Sequence, residues 1–166
     1  MRVNISALQL QRSDLVGDVA HALERTQVPA AMLCLEITET AVMTDVEQSM
    51  DVLAQLHTLG VQLAIDDFGT GFSSLANLKR FPVEILKIDK SFVDDVASDP
   101  DGRVIVASVL GLASSLDLEV IAEGVATTTQ RDVLVELGCR RAQGHLFARA
   151  MAPDETEAWL SAHSLT

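Results

Sequence analysis

Cationic side chains are scarce in this sequence: 12 Lys and Arg stand against 24 Asp and Glu, a net charge of −12 at pH 7. A surface so rich in carboxylates repels polyanions at long range, which excludes non-specific binding along duplex DNA or RNA. A small phosphate ligand carried on metal cations stays open. Cysteine is scarce too. Cys34 and Cys139 lie far apart with no CxxC pair, so neither a zinc knuckle nor a disulfide framework is indicated, and both read as thiols in apolar strands of a cytosolic protein. No apolar run reaches the roughly 18 residues of a membrane span, and the first residues lack the basic-then-apolar order of a secretory signal. We therefore expect a cytoplasmic domain, compatible with a membrane-anchored parent chain. His21, His57, His145 and His163 have no HxH or HxxxH partner, and His145 reads as a solvated loop residue. Linkers, repeats and low-complexity tracts are lacking as well, so residues 1–166 read as one domain or most of one.

What is present suits a packed core. Hydrophobic residues make up 48% of the chain, enough to exclude general disorder. Short apolar runs at 2–5, 32–37, 61–65, 84–88, 118–122 and 140–143 carry Val, Ile or Leu on both alternating faces, as strands of a covered parallel sheet do. Between them, 13–25, 44–59, 102–116, 127–137 and 154–163 place apolar residues three and four apart, the pattern of surface helices with one buried stripe. Segment 73–79 is too short to assign. Ser13 and Thr44 stand at helix N-cap positions, and Gly60 and Gly138 where a helix ends. Six βα units in succession imply a parallel α/β sheet. Two architectures fit, an open doubly wound sheet or part of an eight-stranded barrel; the lack of a GxGxxG or GxxxxGKS motif after the first run counts against a nucleotide-binding open sheet.

Polar residues cluster at the ends of the runs: Asn4, Glu36 with Glu39, Asp66 with Asp67, Lys87 with Asp89, Glu123 and Gln143. Parallel strands would gather all of them at one rim. Asp89 reads first as the N-cap of the segment after it, and Glu39 equally well as a loop residue pairing with a neighbour. Adjacent Asp66 and Asp67 repel each other unless a cation or donors offset them. Glu36 and Lys87 each sit inside an apolar run, where a charge is costly unless paired or bound to metal. Carboxylates and an amide are hard oxygen donors suited to Mg²⁺ or Mn²⁺, and two such ions can activate water while neutralising phosphoryl oxygens. The chemistry suggested is phosphodiester hydrolysis. Gly69 and Gly71 fit a tight loop leaving the third strand.

Six segments, VNIS at 3–6, EITE at 36–39, DDFGTG at 66–71, KID at 87–89, AEGV at 122–125 and QGHLF at 143–147, together resemble the EAL family of bacterial phosphodiesterases that linearise cyclic di-GMP. The resemblance implies a partial (β/α)₈ TIM-like barrel with about six βα units, two Mg²⁺ or Mn²⁺ ions, and opening of one phosphodiester bond of the ring to give pGpG. Matched motif by motif, Asn4, Glu36 and Asp66 correspond to metal ligands, and Asp67 to a ligand of the second ion or of its water. Lys87 corresponds to the lysine that orients the attacking water or stabilises charge on phosphorus. Glu123 matches a general base or a partner of the ligands, Gln143 a residue at the ligand rim, and Glu39 the anchor of the loop after DDFGTG, which in the family also helps form the dimer interface.

Departures from the family pattern are equally specific. The Glu-Ala-Leu triplet is absent, and with it the first two βα units, a glutamate shared by the metals and an arginine that holds the dinucleotide. Ala126, His145 and Ala150 stand where the family often has glutamate, tyrosine and proline. Six strands of an eight-stranded barrel leave two open parallel edges. We therefore expect a homo-oligomer, with strand exchange as one route, or completion within a longer parent protein carrying regulatory domains. The leading expectation is a truncated cyclic di-GMP phosphodiesterase domain, impaired as an isolated chain; the alternative is an inactive cyclic di-GMP-binding or protein-interaction module of the same fold. A phosphoacceptor receiver domain ranks third, because the acidic pair follows the third run and not the first.

Overall fold

The computed structural model describes residues 1–11, 14–69 and 75–162. Its elements alternate as the apolar runs do: β1 (Arg2–Ile5), α1 (Ala7–Leu10), α2 (Leu15–Thr26), β2 (Cys34–Thr38), α3 (Glu39–Thr44), α4 (Val46–Thr58), β3 (Gln62–Phe68), α5 (Leu75–Leu78), β4 (Ile85–Ile88), α6 (Lys90–Asp95), α7 (Pro100–Ser115), β5 (Glu119–Ala122), α8 (Thr128–Glu136), β6 (Arg141–Ala142) and α9 (Pro153–Ala162). All six strands are parallel and lie in chain order, β1-β2-β3-β4-β5-β6. A doubly wound sheet reverses its strand order at a switch point. No reversal occurs among the described strands, so their winding is that of a (β/α) barrel. Among the described residues, no helix is long and apolar enough to cross a membrane.

The two faces of the sheet differ. Leu35, Ile37, Leu63, Ile65, Leu86 and Ile88 point toward the helices and join the main core with Leu53, Leu56, Val93, Val106 and Leu134. The opposite face holds a much smaller apolar patch, Cys34, Ala64, Ile85 and Ile121. Ala64 pairs with Ile85, while Cys34 and Ile121 each stand two residues from the partners of that pair, Glu36 and Glu119, so all four share one face, and so does the residue two further along each regular strand.

Several local expectations shift. β2 starts at Cys34 because Ala30–Met32 form a 3₁₀ turn, and β3 runs on to Phe68, taking Asp66 and Asp67 into the ladder. Thr44 ends α3, and the cap of α4 is Asp45, whose carboxylate accepts from the Gln48 amide at 3.1 Å. A carboxylate one residue on, already in extended conformation, is the better-placed acceptor. Ser13 lies outside the described residues, as do His163 and part of segment 73–79. Gly60 and Gly138 follow the ends of α4 and α8 with positive φ, as expected of helix-terminating glycines.

Leu86, fully buried at the centre of β4, gives a direct measure of this packing. Leu86→Ala should lower unfolding free energy by about 2 to 5 kcal/mol in urea titrations.

Candidate functional site

Register explains how distant residues meet. Asn4 lies opposite Glu36, Thr38 opposite Asp66, and Lys87 opposite Ile121, so Asn4, Glu36, Asp66, Lys87 and Glu123 fall on the face opposite the helices. Neighbouring residues of a regular strand point to opposite faces, so Asp66 and Asp67 could not both do so. A bulge resolves this. Ile65 pairs with Leu86 and Phe68 with Ile88, leaving two residues of β3, Asp66 and Asp67, against one of β4, Lys87, and Asp67 takes a left-handed φ of 53°. The extra residue re-aims the second carboxylate, while Ile65 and Phe68 both stay in the helix-side core.

Lys87 is the hub. Its Nζ lies 2.7 Å from Glu36 Oε2, 3.0 Å from Asp66 Oδ1 and 2.7 Å from Glu123 Oε1, with only 2% of the residue exposed. Burial alone would pull the ammonium pKa down, but the hydrogen bonds it donates to Glu123, Glu36 and Asp66 outweigh it and hold it above the ordinary lysine value. Burial raises the Glu123 carboxyl, with Lys87 opposing. Asp67 is also raised, first by burial and then by the neighbouring Asp66 and Asp89 carboxylates. Asp89 stays low despite burial because Ser91 donates to it. It caps α6 as read from the sequence, and it also faces Asp67.

The remaining predicted residues surround this group. Glu39 opens a helix capped by Thr38 and is buried, its Oε2 accepting from the Gly69 amide at 3.0 Å; the loop reading is thus replaced by a helical anchor. Gly69 has φ +98°, and a Cβ there would stand 2.8 Å from the Phe92 ring. Gln143 sits past β6, tied by its amide to the Ala122 carbonyl and by its carbonyl to the Val125 amide. Gly144 follows because a Cβ would lie 2.2 Å from the Val125 carbonyl oxygen. Asn4 is exposed beside Glu36. Next to Glu123 and Gln143 opens a cavity of about 580 Å³ with Lys90, His145 and Arg149 in its walls. Sequence reading passed over Arg2, whose Nε stands 3.7 Å from Glu36 Oε1 and whose Nη1 donates to Gln143 Oε1 at 3.4 Å. Its two-residue offset from Asn4 on one strand was the available signal.

Two observations bear on metal. Oxygens of Asp66, Asp67 and Glu123 lie within 4.8 Å of one another, and Glu36 Oε1 is buried without a hydrogen-bond partner. Clustered hard oxygen donors with one left unsatisfied fit a divalent cation of the magnesium, manganese or calcium type.

The EAL domain family model matches residues 1–150. The chain belongs to the EAL family. MucR of Pseudomonas aeruginosa, named a bifunctional diguanylate cyclase/cyclic di-GMP phosphodiesterase, is 44% identical over 153 residues, which are 92% of this chain and 22% of MucR. The crystal structure of the EAL domain of Mycobacterium smegmatis DcpA superposes with a TM-score of 0.92 at 42% identity, covering 97% of this chain and 72% of that one. BlrP1 of Klebsiella pneumoniae, solved with manganese and cyclic di-GMP, gives a TM-score of 0.82 at 36% identity over 89% of this chain and 38% of that one. The chain spans about a fifth of the length of the curated relatives it matches.

Two stability predictions follow from the charges of this EAL site. Lys87→Met strands the buried Glu36 and Asp66 carboxylates and the half-buried Glu123, so unfolding free energy at pH 7 should fall by about 3 to 5 kcal/mol. The loss should shrink as pH drops and Glu123, whose carboxyl burial raises, takes up a proton; in the parent chain the raised lysine contributes stability up to its unfolded value and loses it as pH rises through the folded one. Asp67 has a raised carboxyl, so its contribution is greatest below its unfolded value and declines as pH rises through the folded one. Asp67→Asn should therefore raise the melting temperature in EDTA at pH 7 more than at pH 3.5.

Proposed function

We propose that this chain binds cyclic di-GMP and hydrolyses it to linear pGpG with two divalent ions, Mg²⁺ or Mn²⁺. The convergence of Asp66, Asp67 and Glu123 oxygens around the buried Lys87 carries the reading; membership of the EAL family and the phosphodiesterase names of its relatives support it. Asn4, Glu36, Asp66 and Asp67 would hold the ions, which when bound would activate water and neutralise the phosphoryl oxygens. Lys87 would orient the attacking water or stabilise charge on phosphorus by turning one of its three donors from the carboxylate it now meets. Glu123, whose burial favours the protonated form, serves as the group that exchanges a proton with that water. Gln143 borders the dinucleotide, and the cavity beside it, with Lys90, His145 and Arg149 in its walls, offers room for the part of the ligand away from the ions, with Arg149 as countercharge. Glu39 fixes the start of the DDFGTG loop through Gly69.

A second reading, binding without turnover, draws on the Lys87 ion pairs: one ammonium already neutralises part of the carboxylate group and competes with cations for it. The β1 and β6 strands form the ends of the described sheet, and their edges support self-association of the chain.

Incubating the pure chain with cyclic di-GMP and Mn²⁺, with chromatography of the products, separates the two readings. Metal-dependent pGpG is the expected result; ligand binding with no product would leave the binding module. Calorimetry should show Mn²⁺ binding lost in Asp66→Ala and in Glu36→Ala, and unchanged affinity in Asp66→Ala would overturn the assignment.

A further inference from the structure

Glu36 is held from two sides. Lys87 takes Oε2 at 2.7 Å, while Oε1 is buried without a hydrogen bond and faces the Arg2 guanidinium at 3.7 Å. That separation is too long for a hydrogen bond but short for two opposite charges. The other side of the same guanidinium rests on Gln143 Oε1 at 3.4 Å, beyond the last strand of the sheet. Arg2 therefore stretches from β1 to the end of β6, with an alternative partner if it leaves Glu36.

We propose that Arg2 is a positioning residue acting through Glu36, a resident counter-cation that a divalent ion must overcome to use Oε1, and so a residue that sets the ion concentration at which the site fills. The inference rests on the proposed two-ion reading. Two effects of Arg2 on ion affinity oppose each other. Orienting the Glu36 carboxylate would strengthen binding, whereas a nearby positive charge weakens it. Orientation is already supplied by burial and by the shorter contact to Lys87, so the charge effect prevails. Arg2 is partly solvated, with 35% of its side chain exposed, which keeps the effect moderate and sensitive to salt.

The test is Mn²⁺ binding to the full chain, by calorimetry and by the electron paramagnetic resonance signal of free Mn²⁺, with no substrate present. Arg2→Gln should bind Mn²⁺ roughly three- to thirtyfold more tightly at low ionic strength. Arg2→Lys, which keeps the charge, should stay close to the parent chain. The ratio between Arg2→Gln and the parent should narrow at about 1 M salt, where the screening length is about 3 Å; a purely structural role would not respond in this way. Glu36→Gln should weaken Mn²⁺ binding and remove most of the difference made by Arg2→Gln. Equal or weaker binding by Arg2→Gln, alongside loss of binding in Glu36→Gln, overturns the role of Arg2 and leaves the metal reading intact. Absence of Mn²⁺ binding by the parent chain, or parent-like binding by Glu36→Gln, overturns both the role of Arg2 and the ligand assignment of Glu36.

Discussion

A single buried ammonium organises the inner rim of this sheet. Lys87 lies among Glu36, Asp66 and Glu123, carboxylates contributed by β2, β3 and the end of β5. Moving one such charge out of water costs several kcal/mol, and pairing seldom returns much more than it took. Well-packed apolar residues at these positions would serve stability as well or better. The group is therefore poorly explained as a fold stabiliser and well explained as chemistry that the fold tolerates. Leu35 and Ile37 of β2, Leu63, Ile65 and Phe68 of β3 and Ala122 of β5 pack into the helix-side core, and that packing carries the folding energy which the charges do not.

The rim also depends on one irregularity. A regular parallel ladder delivers one side chain per strand and level to each face, so a strand end supplies a single ligand. The bulge in β3 breaks this limit and brings Asp66 and Asp67 to the same side. Its cost is visible in the left-handed backbone of Asp67, a conformation that aspartate tolerates better than most residues but seldom adopts. Strain of this kind persists where the surroundings over-determine it. Here the anchors are Ile65 and Phe68 in the core on either side, and the Asp67 amide donating to Asp66 Oδ1 at 3.0 Å.

How much of this was legible beforehand differs by level. The six strands and the five longer helices could be read because apolar periodicity over several turns or alternations is a strong signal. The short helices α1 and α3 could not, since four to six residues carry too little periodicity, and their caps, Ser6 and Thr38, only stand out once the chain reversal is known, whereas Asp89 could be read as the cap of α6 because it directly follows an apolar run. The polar residues at the strand ends could be picked out individually, as charges in or beside apolar runs. Their mutual distances could not, because register and bulge belong to pairing between strands and not to any one segment. Arg2 shows the same limit from the other direction. At the start of the first run it looks like an ordinary flanking charge; only the pairing of β1 with β2 and the reach to Gln143 give it partners.

Net charge and local charge together constrain how an anionic dinucleotide can be handled. A chain at −12 attracts divalent cations and repels phosphates at long range, and its few cations are therefore informative by position. Lys87 is saturated by three carboxylates and Arg2 is shared between Glu36 and Gln143, so neither offers a free charge to a phosphodiester at the rim. Lys90 is likewise engaged by Asp94. For the proposed reaction, divalent ions held by Glu36, Asp66 and Asp67 would have to supply the positive charge that these side chains do not offer a phosphodiester. The acidity that disfavours polyanions at long range is thus the same property that would concentrate the divalent ions the proposed reaction requires.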